Sequence, residues 1–167
     1  QDNAGNALTN QIDSSTQYYK AHLEYETAGD NLVTNGDFAT DTVWTKQNAG
    51  STISGGKLNQ ASVPNGQNVY QTTSITVGLL YSATFTISNY VSGGVRVLIG
   101  ATGATTTQSS NGTFTVTGTA ATNNILYIQS QGTATTLSVD NISVQENPVT
   151  LKATEYRYFK IDRETAN

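Results

Sequence analysis

Tyr81, Ala83, Phe85 and Ile87 alternate strictly with Ser82, Thr84, Thr86 and Ser88. An apolar residue at every second position is the period of a strand with one buried and one wet face, because successive side chains leave a pleated backbone on opposite sides. Val95, Val97 and Ile99 repeat the pattern, as do Phe114 and Val116 among Thr113, Thr115 and Thr117. Gly55-Gly56, Gly93-Gly94, Asn111-Gly112 and Asn123-Asn124 punctuate these runs and read as turns. Short strands with turns about every 8–12 residues predict an all-β sandwich or barrel. One run conflicts with its own period: Leu137 and Val139 stand in one phase, Ile142 and Val144 in the other. An extra residue near Asp140-Asn141, a β-bulge, would return both pairs to the core.

Charge divides the chain into three. Residues 1–30 carry six charged side chains, 31–147 carry seven, and 148–167 carry seven. A length of 167 residues suits one domain. The expected organisation is therefore an N-terminal arm (1–30), a sandwich (31–147) and a C-terminal strand or arm (148–167). In the first segment Leu8 and Ile12 form the apolar pair of a polar stretch, and Tyr18 and Tyr19 open residues 18–26, where periodicity does not decide between helix and extended chain. In the last, Tyr156, Tyr158, Phe159 and Ile161 lie among Arg157, Lys160 and Arg163. Aromatics with Arg are enriched in interface cores. These eight apolar and aromatic residues are accordingly expected to contact neighbouring subunits, most simply in a symmetric homo-oligomer. A neighbour's arm added as a strand would also cover a bare sheet edge. The alternative is that the C-terminal segment is an edge strand of the same sandwich and that the N-terminal one packs back on its own domain.

Several function classes are disfavoured. Cysteine is absent and His22 is the one histidine. A thiolate metal site is therefore impossible, and a Ser-His-Asp arrangement would have to be built from an arm. Asp37, Asp41, Asp140 and Glu146 are the acidic residues of the central region, a poor basis for two carboxylates facing across a glycosidase cleft. No catalytic residues are expected. The net charge of −4 and a pI near 4.7 argue against nucleic acid, which needs clustered Lys and Arg. No apolar run approaches the ~20 residues that cross a bilayer, and no signal peptide is visible. A chain opening at Gln1 rather than Met is expected either to have been trimmed or to be something other than a primary translation product.

Asn31-Leu32-Val33-Thr34-Asn35-Gly36-Asp37-Phe38, then Trp44, then Leu137-Ser138-Val139-Asp140-Asn141-Ile142-Ser143-Val144 together resemble the carbohydrate-binding-module-like jelly roll. That family opens on a Leu-Val-x-Asn-Gly-x-Phe strand followed by a Trp, and closes on a bulged Asp-Asn-aliphatic motif. The resemblance spans about residues 31–146. It implies a jelly-roll β-sandwich with extended N- and C-terminal arms. Thr- and Ser-rich, Cys-free versions resemble those of bacteriophage tail and capsid-surface proteins. A virion structural or decoration protein, at a virion surface or outside the cell, is therefore the first expectation. A glycan-binding module for a cell-surface polysaccharide and a filament-forming surface subunit are the alternatives.

The resemblance also implies a structural calcium near Gly36, Asp37 and Asp140. Ala39 and Thr40 depart from it, since the family often has an acidic residue after the Phe. The competing expectation is that Asp140 caps N–H groups of the bulge. Sugar binding needs exposed aromatic platforms. By strand parity Tyr90 faces outward, and Tyr127 stands opposite Leu126 and Ile128 on a side that parity leaves open. Tyr90 and Tyr127 are the candidates, whereas Trp44 is expected in the core.

Overall fold

A computed structural model describes residues 29–101 and 106–147. The expected assembly contacts Leu8, Ile12, Tyr18, Tyr19, Tyr156, Tyr158, Phe159 and Ile161 lie outside the described residues. Thr27–Pro148 forms one compact unit.

The described chain is all-β and antiparallel. Its strands are β1 (Thr45–Lys46), β2 (Ser51–Ser54), β3 (Lys57–Val63), β4 (Asn68–Thr72), β5 (Leu80–Ile99), β6 (Gly112–Thr119) and β7 (Ile125–Glu146). Two long strands organise the rest. The first part of β7 lies between β4 and the last part of β5, with Val69, Ile128 and Val97 in register. Adding β1 beyond β4 completes a four-strand half. The last part of β7 lies between β3 and the first part of β5, with Leu58, Val139 and Ile87 in register. Here β2 and β6 pair outward to give a five-strand half. Because β5 and β7 belong to both halves, the sheet curls into a jelly-roll sandwich that is nearly a barrel.

The period-2 expectation holds through the first part of β5. Tyr81, Ala83, Phe85 and Ile87 are buried, and Val95, Val97 and Ile99 face the same core. Each fully buried side chain of this size stabilises by about 1.5–3 kcal/mol relative to exposure. Trp44 is buried too, 5.2 Å from the Phe38 ring, with its indole N–H donated to the Asn35 carbonyl at 3.0 Å. The bulge also stands where parity placed it. Thr84 pairs with Ser143 but Thr86 with Asp140, so one extra residue is accommodated on β7. Asn141 absorbs it at φ 51° and points to solvent, which leaves Leu137, Val139, Ile142 and Val144 all buried.

One expected turn is not a turn. Gly93-Gly94 lies inside β5, which continues to Ile99. The strand bends there as it passes from one half of the sheet to the other, so close to β7 that a Cβ on Gly93 would stand 2.7 Å from the Thr135 Cα. Only glycine allows that approach, and its φ of +71° is unfavourable to other residues.

Residues 29–36 complete the five-strand half beside the end of β7. Leu32 N–H donates to Val144 O at 2.8 Å, and Ile142 N–H donates to Gly36 O at 2.9 Å. The segment is clasped from inside by Gln71, whose amide donates to Thr34 O and accepts from Thr34 N–H, both at 3.1 Å. A second buried glutamine has no such partners. Gln60 sits between Ser51 and Leu137, and neither of its amide atoms has a hydrogen-bond partner among the described residues.

Candidate functional site: an outward aromatic and amide platform

The outer face of the four-strand half carries two adjacent rows of side chains, and the register builds both. On β4, Val69 and Gln71 point inward, so Asn68 and Tyr70 point outward. On β7, Leu126 and Ile128 are buried, which places Ile125, Tyr127, Gln129 and Gln131 on the outer side. On β5, Val97 and Ile99 are buried and Arg96 and Leu98 face out.

Pairing then aligns these positions across the strands. Thr45, Tyr70, Tyr127 and Leu98 form one row, in register from β1 to β5. The Tyr70 and Tyr127 rings lie 5.6 Å apart, tilted by 39°, a favourable cross-strand aromatic pair. Both rings are half-buried, so each leaves part of its surface to solvent. Asn123 donates to the Tyr127 hydroxyl at 3.2 Å and helps hold that ring in place.

Asn68, Gln129 and Arg96 form the second row, extended by Gln47 and Gln131. Their hydrogen bonds run one way. Arg96 Nε and Gln131 Nε2 both donate to Gln129 Oε1, at 2.8 and 3.0 Å. Gln129 Nε2 donates to Asn68 Oδ1 at 3.1 Å, and Asn68 Nδ2 to Gln47 Oε1 at 2.9 Å. Such a relay fixes which end of each amide is donor and which acceptor. Gln131 Nε2 spends its other N–H on Ser130 O at 3.0 Å, whereas Gln129 Nε2 and Asn68 Nδ2 each keep a second N–H that is available to a ligand. The chemistry on offer is thus an apolar, π-rich strip beside preset neutral donors and acceptors. The strip suits the C–H face of a sugar ring, and the relay suits its hydroxyls.

The structure places the other candidates elsewhere. Tyr90 was expected outward, but it packs partly against the core. The reason is Asn89, whose φ of 53° breaks the alternation just before it. The Tyr90 hydroxyl donates to Gly93 O at 3.2 Å, and its backbone N–H goes to Asn111 Oδ1. It belongs to the bend between the halves, away from Tyr127 on the four-strand face.

Gly36 and Asp37 line an open hollow of about 340 Å³ with Asn31, Asn141, Ile142 and Ser143. The Gly36 carbonyl already accepts Ile142 N–H, and the exposed Asp37 carboxylate accepts Ala39 N–H at 3.3 Å. Asp140 accepts Asn141 N–H at 2.7 Å, the capping role in the bulge. Calcium takes six to eight oxygens, with carboxylates prominent at tight sites. Among the described residues no three acidic or histidine side chains gather to supply them.

Sequence reading singled out Tyr127 but missed Tyr70, Asn68, Gln129 and Arg96. Each is an unremarkable polar or aromatic residue in its own strand, and only the cross-strand register brings them together.

No family model matches the sequence, and no curated protein matches it. Solved structures do resemble the chain. One is the N-terminal cellulose-binding domain of Cellulomonas fimi β-1,4-glucanase C, 22% identical, covering 70% of this chain and 95% of that one at a TM-score of 0.44. Another is the enzymatically active domain of tailspike protein 4 of bacteriophage CBA120, 14% identical, covering 70% of this chain but 21% of that one, at 0.42. A third is the K3 adhesin domain of Lys-gingipain from Porphyromonas gingivalis, 15% identical, covering 71% and 98%, at 0.44. Likeness this distant leaves the ligand to be read from the side chains.

Proposed function

We propose that this chain is a non-catalytic, extracellular or virion-surface glycan-binding module, and that the outer face of its four-strand half is the binding surface. The observation that carries the reading is the juxtaposition of the Tyr70–Tyr127 pair with the Gln47–Asn68–Gln129–Arg96 relay. A solvated sheet face needs no such order. Amides that merely keep the surface wet gain little from being locked to one another, because water satisfies them equally well. Locked amides beside half-exposed rings are preorganised, which lowers the ordering cost of holding a polyhydroxylated ligand.

The test is a glycan array followed by affinity electrophoresis in gels containing the polymers retained. Tyr127→Ala and Tyr70→Ala should each weaken retention at least about tenfold, equivalent to ~1.4 kcal/mol. Tyr90→Ala should leave retention unchanged, because its ring serves the bend. Retention unaffected by both platform variants would defeat the proposal.

A second role belongs to the ends of the chain. Residues 1–30 and 148–167 hold most of the charge, together with Tyr156, Tyr158, Phe159 and Ile161. That segregation favours attachment to neighbouring subunits of a virion, tail or surface filament, with the sandwich displayed outward. Removing residues 1–17 should abolish incorporation into the assembly while leaving the unfolding transition of the sandwich in place. Undiminished incorporation would refute it.

A further inference from the structure

We propose that the ligand of the platform is an acidic polysaccharide, one whose sugars carry carboxylates, and that Arg96 is the residue that reads them. This rests on the glycan-binding reading above and narrows it. Three observations on one surface lead there.

The first is that Arg96 has no carboxylate partner among the described residues. Among the described residues the ion pair is Lys46 with Asp41, and Lys57 donates to the Ser88 hydroxyl. Arg96 spends only its Nε, on Gln129 Oε1. The second is orientation. Holding Nε to Gln129 fixes the plane of the guanidinium, and its terminal nitrogens have no acceptor among the described residues. Two parallel N–H groups in a fixed plane match the two oxygens of a carboxylate, a pairing that an ammonium on a flexible stem does not reproduce.

The third observation is where the negative charge lies. The protein is acidic overall, at −4, which taken alone would repel an acidic polymer. Yet the outward positions of the four-strand half contain no Asp or Glu: they are Thr45, Asn68, Tyr70, Thr72, Arg96, Leu98, Ile125, Tyr127, Gln129 and Gln131. Asp140 and Glu146 pair with the first part of β5 in the other half, and Asp41 is already matched by Lys46. Screening over about 8 Å at physiological salt confines repulsion to close neighbours. The platform therefore presents a cation and neutral amides to an approaching chain.

The preference is measured with acidic and neutral polymers, among which polygalacturonate and its methyl ester share one backbone and differ chiefly in charge. Polygalacturonate, alginate and hyaluronan are set against methyl-esterified polygalacturonate, dextran and xylan in affinity gels at low and physiological salt. The wild-type chain should bind polygalacturonate at least about tenfold tighter than its methyl ester, the range expected for hydrogen bonds to a charged group. Arg96→Gln should abolish that ratio while still binding the ester. Lys57→Gln, a cation lost from the other half, should leave the ratio unchanged. Equal binding of polygalacturonate and its ester, or a ratio that survives Arg96→Gln, overturns the acidic assignment and leaves glycan binding standing. Retention by the neutral polymers alone does the same. Retention by none of the six overturns the acidic assignment, and the glycan-binding reading then stands or falls on the array and the Tyr70 and Tyr127 variants.

Discussion

Gln60 and Gln71 offer a test of the packing account, because they are buried almost equally, at 3% and 4% exposure, and differ only in their partners. Methionine matches glutamine in length and flexibility and needs no hydrogen bonds. At Gln71 the exchange removes two hydrogen bonds that clasp Thr34, each worth about 1 kcal/mol net. It also leaves Thr34 N–H and C=O to find water, so Gln71→Met should destabilise by about 1–3 kcal/mol. At Gln60 there is no bond to lose. Burying an unbonded amide costs about 1–3 kcal/mol by mutational measure, and the thioether avoids that cost. Gln60→Met should therefore stabilise by a similar amount. Urea unfolding followed by the fluorescence of Trp44, the one tryptophan, reads both changes. The midpoints should move in opposite directions at unchanged m, and Tm should shift by roughly 3–6 °C per kcal/mol for a unit of this size. Destabilisation by both substitutions would refute the reasoning, since it would mean that the Gln60 amide is satisfied, as a buried water would satisfy it.

Other outcomes follow from single contacts. A methyl group on Gly36 would be driven into the Ile142 carbonyl oxygen, so Gly36→Ala should cost about 3 kcal/mol or more in denaturant unfolding as residues 29–36 are pushed from β7. Asn141 holds the bulge at φ 51°, and Asn141→Val should lower stability by about 1–2 kcal/mol, whereas Asn141→Gly should not. Trp44→Phe keeps the contact with Phe38 and loses the indole hydrogen bond to Asn35 O, which still accepts Phe38 N–H at 3.2 Å; calorimetry should show a loss of about 1 kcal/mol.

How much of this was legible depended on whether the signal was local. Tyr81 to Ile87 declared their strand because burial alternates within one segment, and Leu137 to Val144 declared a bulge because two apolar pairs could share a core only with an extra residue between them. Tyr90 was misplaced for the same kind of reason in reverse. A single residue at positive φ, Asn89, shifts the phase, and an Asn is equally common where no shift occurs. Gly93-Gly94 reads as a turn because composition records that positive φ is allowed, not whether the chain reverses or merely bends. The platform was the least visible feature. Tyr70 and Tyr127 are far apart in sequence, and the register that pairs them is set by Val69 and Ile128 meeting in the core beneath.

The central claim is that the four-strand face holds the glycan, and an NMR titration with the best-retained polymer's oligosaccharide measures it most directly. The account predicts that the largest amide and side-chain shifts fall on Asn68, Tyr70, Arg96, Tyr127 and Gln129, and that β6 and the Tyr90 bend stay unperturbed. Shifts concentrated on the five-strand half, or at the hollow beside Gly36 and Asp37, would contradict it.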